Sequence, residues 1–170
     1  IITTINKPNH NMRMYDKGWK KNKWNFIVVG DKKTPKKFKL SHAKFINYKK
    51  KIDDISFSEK CPINTYARKN IGYLQAIKNN SEVIVETDDD NSPLKNFFIP
   101  FSLYSESQII HKNNDWINIY NYFVDKKYID KIWPRGLPLD KIKKYYNKKN
   151  KKKRKKKNLV IQSLCNGNPD

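Results

Sequence analysis

Three consecutive carboxylates, Asp88, Asp89 and Asp90, directly follow the run Glu82-Val83-Ile84-Val85-Glu86-Thr87. Adjacent like charges repel, so folding does not favour such a triplet without a counter-charge. Carboxylate oxygens are hard ligands that suit magnesium or manganese, ions that also bridge diphosphate oxygens. Asp88 and Asp90, at positions i and i+2, can reach one ion together where the chain turns. At the carboxyl end of a strand in an open α/β sheet, that turn falls where ligands bind. The plain alternative is an acidic surface turn.

Two further groups suit an anionic ligand. Arg68-Lys69-Asn70 stands at the expected start of a helix. Helix N-termini favour anions, and an Arg adds paired hydrogen bonds to phosphate; the alternative is a solvated helix face. Asp31 closes an apolar strand, where an acid can accept from a ribose hydroxyl or a base, or simply make the turn after Gly30. No nucleophile–base pair stands out. His10, His42 and His111 lie in Asn- or Lys-rich surroundings, and Cys61 and Cys165 show no metal-ligand spacing. With five glycines in all, there is no Gly-rich phosphate loop or Walker motif, which counts against a dinucleotide oxidoreductase or an NTPase.

These groups need elements to carry them. Ile1–Ile5 is a β-branched run that ends at Asn6-Lys7-Pro8-Asn9, a strand followed by a loop. A weakly amphipathic stretch runs from about His10 to Trp19. Trp24–Asp31 is apolar on both faces, as central parallel strands are, and Lys44–Tyr48 predicts a third strand. Asn64-Thr65-Tyr66 offers an N-cap for a helix in which Ile71, Leu74 and Ile77 recur at helical spacing. That helix gives way near Asn79-Asn80 to a strand over Glu82–Thr87. Alternating strands and helices of these lengths predict an α/β fold with a mostly parallel sheet. Past Ser92 the pattern blurs, apart from an ordered loop at Trp133–Leu139 and an apolar return at Leu159–Leu164.

At 170 residues, with 37% hydrophobic and 13% aromatic side chains, the chain is long enough for one cored domain. No run approaches the roughly 18 apolar residues of a membrane helix, and the first residues do not read as a signal peptide. The sequence opens without Met and stops at Asn168-Pro169-Asp170 with no closing element, so we expect a segment of a longer protein. The formal charge of +21 raises nucleic acid as a partner. However, residues 141–157 hold twelve of the 37 basic residues and no acid. Taking those twelve away leaves 25 against 16 acids, a net of +9. That stretch reads as a low-complexity, solvated loop. The remaining Lys, Asn, Ile and Tyr bias is spread evenly, which argues against a built nucleic-acid face.

Taken in order, several stretches resemble the STELLO glycosyltransferase family, whose nucleotide-binding part is similar to the GT-A fold. They are Ile2–Asn6, Ile27–Pro35, Tyr66–Ile77, Thr87–Asp90, Trp133–Leu139 and Asn166–Asp170, and together they span nearly the whole chain. The resemblance implies a single glycosyltransferase-like domain over 1–170, Rossmann-like, with a mostly parallel sheet flanked by helices. It implies transfer of a sugar from a nucleotide-sugar donor, a UDP-sugar first, to a glycan or protein acceptor. Asp88 and Asp90 would bind Mn2+ or Mg2+. Thr4, Asn6 and Asp31 would line the nucleoside pocket, Arg68 and Lys69 would face the donor's pyrophosphate or base, and Asp88 would also contact the nucleotide sugar. Arg135 and Asp170 would lie toward the sugar and acceptor, Asp170 as a general base if the reaction inverts. Family members are anchored in the Golgi membrane, through parts absent from this segment, and the lysine-rich stretch departs from the family pattern. The competing class is a non-catalytic nucleic-acid-binding or scaffold module that uses the basic run.

Overall fold

The computed structural model describes residues 1–49, 56–98, 102, 104–108, 116–122, 124–129, 131–133, 136–141, 145–146, 153–157 and 160. The chain forms two compact units, Ile1–Ile99 and Pro100–Asp170. The first carries the elements that position the acidic turn.

Its centre is a parallel sheet of three strands: β1 (Ile2–Thr4), β2 (Ile27–Gly30) and β3 (Lys44–Ile46), with β2 in the middle. Ile2, Thr3 and Thr4 face Val28, Val29 and Gly30, while Ile27, Val28 and Val29 face Lys44, Phe45 and Ile46. All four residues of β2 are buried. Alternate side chains of a strand point to opposite faces, and here each face has its own helix. Helix α1 (His10–Asn22) covers one face, where Met12 and Tyr15 pack with Ile2, Phe26 and Val28. Helix α3 (Lys69–Lys78) covers the other, where Ile71 and Ala76 pack with Ile27, Val29 and Ile46. The fold is thus α/β, Rossmann-like and GT-A-like, with a parallel sheet flanked by helices.

Local chemistry sets the helix ends. The Asn9 side chain accepts from the Met12 N–H at 2.9 Å and so caps α1. At the other end Lys23 turns left-handed (φ 57°), and its N–H reaches the Trp19 carbonyl at 2.9 Å. A short α2 (Ser56–Lys60) and a 3-10 turn (Tyr66–Arg68) lead into α3. Neither Asn64 nor Thr65 caps α3 directly, because the 3-10 turn intervenes and Thr65 makes no side-chain cap bond. The buried face of α3 is Ile71, Gly72, Gln75 and Ala76, rather than the expected Ile71, Leu74 and Ile77; Ile77 is exposed. Small residues at 72 and 76 let the helix lie close on the sheet. A Cβ on Gly72 would come within 2.5 Å of Ile1 Cγ2 and 3.1 Å of Val29 Cγ2.

The sequence predicts a regular strand over Glu82–Thr87, which residues 83–87 do not form. They instead run extended beside β1 with a single pairing, in which the Ile1 nitrogen donates to the Val85 carbonyl (2.6 Å) and the Thr87 N–H donates to the Ile1 carbonyl (3.1 Å). That is the parallel pattern, and it lies on the edge of β1 that β2 does not occupy. Val83 and Ile84 stay exposed, so little burial holds the segment as a longer ladder.

In the second unit, β4 (Tyr104–Gln108) pairs antiparallel with β7 (Lys153–Lys157), and β5 (Trp116–Ile117) pairs in parallel with β6 (Tyr145–Tyr146). Two pieces of the lysine-rich stretch are therefore extended and paired. No helix among the described residues is long and apolar enough to cross a membrane.

Candidate functional site

The strand order β3-β2-β1 followed by the 83–87 segment reverses direction at β1. Two strands that leave a sheet on opposite sides of such a point open a crevice at their carboxyl ends. The ends of β1 and β2 and the turn after residue 87 meet there, around a cleft of about 490 Å³. Thr4, Asn6, Asp31, Arg68, Asp88, Asp89 and Asp90 all line it. Lys69 reaches it through Asp88.

The chain turns at the triplet as its proposed role requires, with the Asn91 N–H on the Asp88 carbonyl at 3.3 Å. Each of the three carboxylates is handled differently, which resolves their mutual repulsion. Asp88 pairs with Lys69, whose Nζ lies 2.8 Å from Oδ1 and 3.8 Å from a Glu86 oxygen. Asp89 accepts from the Thr4 hydroxyl, and from Asn6 Nδ2 at 3.0 Å. The exposed Asp90 carboxylate has no partner among the described residues. The backbone of the turn is held as well: Asn9 Nδ2 donates to the Asp89 carbonyl (2.7 Å) and Asn11 Nδ2 to the Asp90 carbonyl (2.9 Å).

Asp31 is buried and sits within a local network. Its Oδ1 accepts from the Lys32 N–H at 2.6 Å, and its own N–H donates to Thr34 Oγ1 at 2.8 Å. The Thr34 hydroxyl in turn donates to the Thr4 carbonyl at 2.6 Å, which locks the ends of β1 and β2 together. Arg68 is 2% exposed, yet its contact with the Gly30 carbonyl is long (3.5 Å) and its Nε has no hydrogen-bond partner. No carboxylate pairs with this guanidinium among the described residues, which makes its burial costly, and it stands at the N-terminus of α3, where an anion is favoured.

No group of three His, Cys, Asp or Glu side chains forms a preassembled metal cage among the described residues. Ions that bridge diphosphates do not need one, since they take one or two carboxylates and complete their shell with phosphate oxygens and water. Asp88 and Asp90, flanking a turn at the mouth of the cleft, fit that donor set.

The structure thus brings together Thr4, Asn6, Asp31, Arg68, Lys69, Asp88 and Asp90. Arg135 and Asp170 lie outside the described residues. Sequence reasoning passed over Asp89, the member of the triplet that ties the turn to β1. It also passed over Asn9 and Asn11, which clamp the turn's backbone. The signal was there in three asparagines, Asn6, Asn9 and Asn11, just after a strand.

No protein-family model matches the chain, and no solved structure matches it. It is similar to two proteins of Arabidopsis thaliana. To probable glycosyltransferase STELLO2 it is 27% identical over 168 residues, covering 86% of this chain. To probable glycosyltransferase STELLO1 it is 26% identical over the same length. The chain spans about a fifth of the length of these relatives (20%). It is related to the STELLO proteins, as the ordered motifs imply.

Proposed function

We propose that this relative of the STELLO proteins is the nucleotide-sugar-binding part of a metal-dependent glycosyltransferase. It would move a hexosyl or pentosyl group from a donor, UDP-linked first, to a glycan or protein acceptor. The observation that carries the reading is the placement of the acidic turn. It lines a cleft at the strand-order reversal together with the buried Arg68, whose Nε has no hydrogen-bond partner.

The chemistry follows from charge. Breaking the bond between sugar and diphosphate develops negative charge on the leaving phosphate. A divalent ion held by Asp88 and Asp90 would supply Lewis-acid stabilisation there. Arg68 offers a desolvated guanidinium to the same phosphates, where electrostatic interactions are strong. Lys69, released from Asp88, can add its charge. Asp31 and Asn6 present polar groups to the nucleoside. For Arg135 and Asp170 only the resemblance suggests roles, Arg135 toward the sugar and acceptor and Asp170 as the base for the acceptor proton if the reaction inverts.

Calorimetric titration of UDP-sugars with and without manganese tests it, on the wild type and on Asp88→Ala/Asp90→Ala. The proposal requires metal-dependent binding that the double variant loses. If a folded wild type binds neither UDP- nor GDP-linked donors, the proposal fails.

A second reading, a polyanion-binding module, draws on β7, whose five residues Lys153–Lys157 are all basic and face one acid, Glu106, across the ribbon. Steeply salt-dependent binding of RNA or DNA, indifferent to Asp88→Ala, would favour that reading instead.

A further inference from the structure

Tyr66 is 93% exposed, the most exposed large apolar side chain described. Of the exposed large apolar residues, Tyr66 and Ile5 are the two that line the cleft. Its backbone, by contrast, is fixed. The Thr65 hydroxyl donates to the Pro62 carbonyl at 3.2 Å, the Arg68 N–H to the Thr65 carbonyl at 3.2 Å, and the Lys69 N–H to the Tyr66 carbonyl. A ring left in water on a rigid turn is preorganised to receive something flat, since ordering it costs little beyond its two side-chain torsions. Two residues on, the same turn buries Arg68 with its Nε unpartnered. One turn thus offers an exposed π-face and, at depth, a cation with an unpartnered N–H. A ligand that answers both joins a planar ring to an anion.

We propose that Tyr66 is a specificity-determining residue that stacks on the nucleobase, so that the cleft selects a nucleoside diphosphate over a bare diphosphate. The inference rests on the nucleotide-sugar reading and deepens it by assigning the base its own platform. Stacking is tolerant of base identity because every base has a π-face. Tyr66 therefore sets whether a base is recognised, and the polar groups of the cleft set which one.

The test titrates UDP, UDP-glucose and inorganic pyrophosphate, each with manganese, into the wild-type chain, Tyr66→Ala and Tyr66→Trp. At its exposure, Tyr66 can be replaced without disturbing the core. Tyr66→Ala is expected to weaken UDP and UDP-glucose by the same factor, about five- to a hundredfold. Tyr66→Trp should bind both at least as tightly as wild type, and pyrophosphate affinity should not change in any of the three. Unchanged UDP affinity in Tyr66→Ala overturns the proposal. So does a loss confined to UDP-glucose, which would assign the ring to the sugar, or an equal loss for pyrophosphate, which would place its effect at the phosphates. A wild type that takes pyrophosphate but not UDP overturns the stacking alone. One that takes none of the three, nor a GDP-linked donor, overturns the nucleotide-sugar reading beneath it.

Discussion

The hydroxyl of Thr4 donates to the carboxylate of Asp89, joining the last residue of β1 to the middle of the acidic turn across 85 positions of sequence. The same oxygen accepts the Asn6 N–H at 3.0 Å. Thr4→Val keeps the shape and removes both bonds, one of them to a charged acceptor. We expect a loss of about 2 kcal/mol in urea unfolding, together with weaker manganese-dependent UDP binding as the turn loosens. Asp90→Ala, at an exposed carboxylate, should leave stability within about 0.5 kcal/mol while still weakening that binding. Equal stability losses in both variants would show that Thr4 does not hold the turn.

Asp16 organises the approach to β3 from the far side of the sheet. It is buried, and its carboxylate accepts three backbone N–H groups: Ser41 at 2.8 Å, and His42 and Ala43 at 2.9 Å each. In Asp16→Asn the charge is lost, and one oxygen becomes a donor that must face another donor. An unfolding free energy lower by about 2–3 kcal/mol is expected. Amide exchange at 41–43 should accelerate more than at β2. Uniform acceleration across the sheet would mean that Asp16 stabilises the fold without pinning this loop.

The three sheet strands were legible in the sequence because each is a local apolar run bounded by turn residues, and burying such a run has few solutions. The acidic turn was legible for the same reason, since the end of an apolar segment fixes where the turn falls. What escaped reading depends on contacts far apart in the chain. Asn9 meets the Asp89 backbone across 80 positions, and nothing local marks Asp89 rather than Asp88 or Asp90 as the anchored carboxylate. The buried face of α3 was misjudged because apolar spacing favoured Leu74 and Ile77. Close approach to Ile1 and Val29 demanded the small Gly72 instead, and Ala76 lies on the same buried face.

Burial of Tyr15 makes a prediction about alkaline pH. Desolvation raises its phenol above the ordinary 10.0, opposed by its contact with the Thr87 hydroxyl. The unfolded chain therefore ionises this residue first. The folded state keeps its full advantage below pH 10 and loses it as pH rises from there through the folded value. The chain has ten tyrosines, so the informative quantity is the difference between wild type and Tyr15→Phe. Their urea midpoints should run parallel below pH 10 and diverge above it, with the wild type falling faster. Curves that stay parallel would show that Tyr15 ionises alike in both states.

Arg68 separates stability from binding. Its guanidinium is buried against one long contact, to the Gly30 carbonyl at 3.5 Å, with Nε unpaired. Removing a charge from such a place gives up little attraction and relieves desolvation. The volume left behind suits methionine, whose flexible chain fills irregular space. Arg68→Met is therefore expected to raise the unfolding free energy of the unliganded chain by about 1–2 kcal/mol. It should also weaken manganese-dependent binding of UDP and of pyrophosphate by about tenfold or more. A residue kept for packing would give the opposite pair of results, lower stability with ligand affinity unchanged. Thermal unfolding with and without UDP reads both quantities on the same sample, because a ligand that binds only the folded chain raises its midpoint in proportion to affinity.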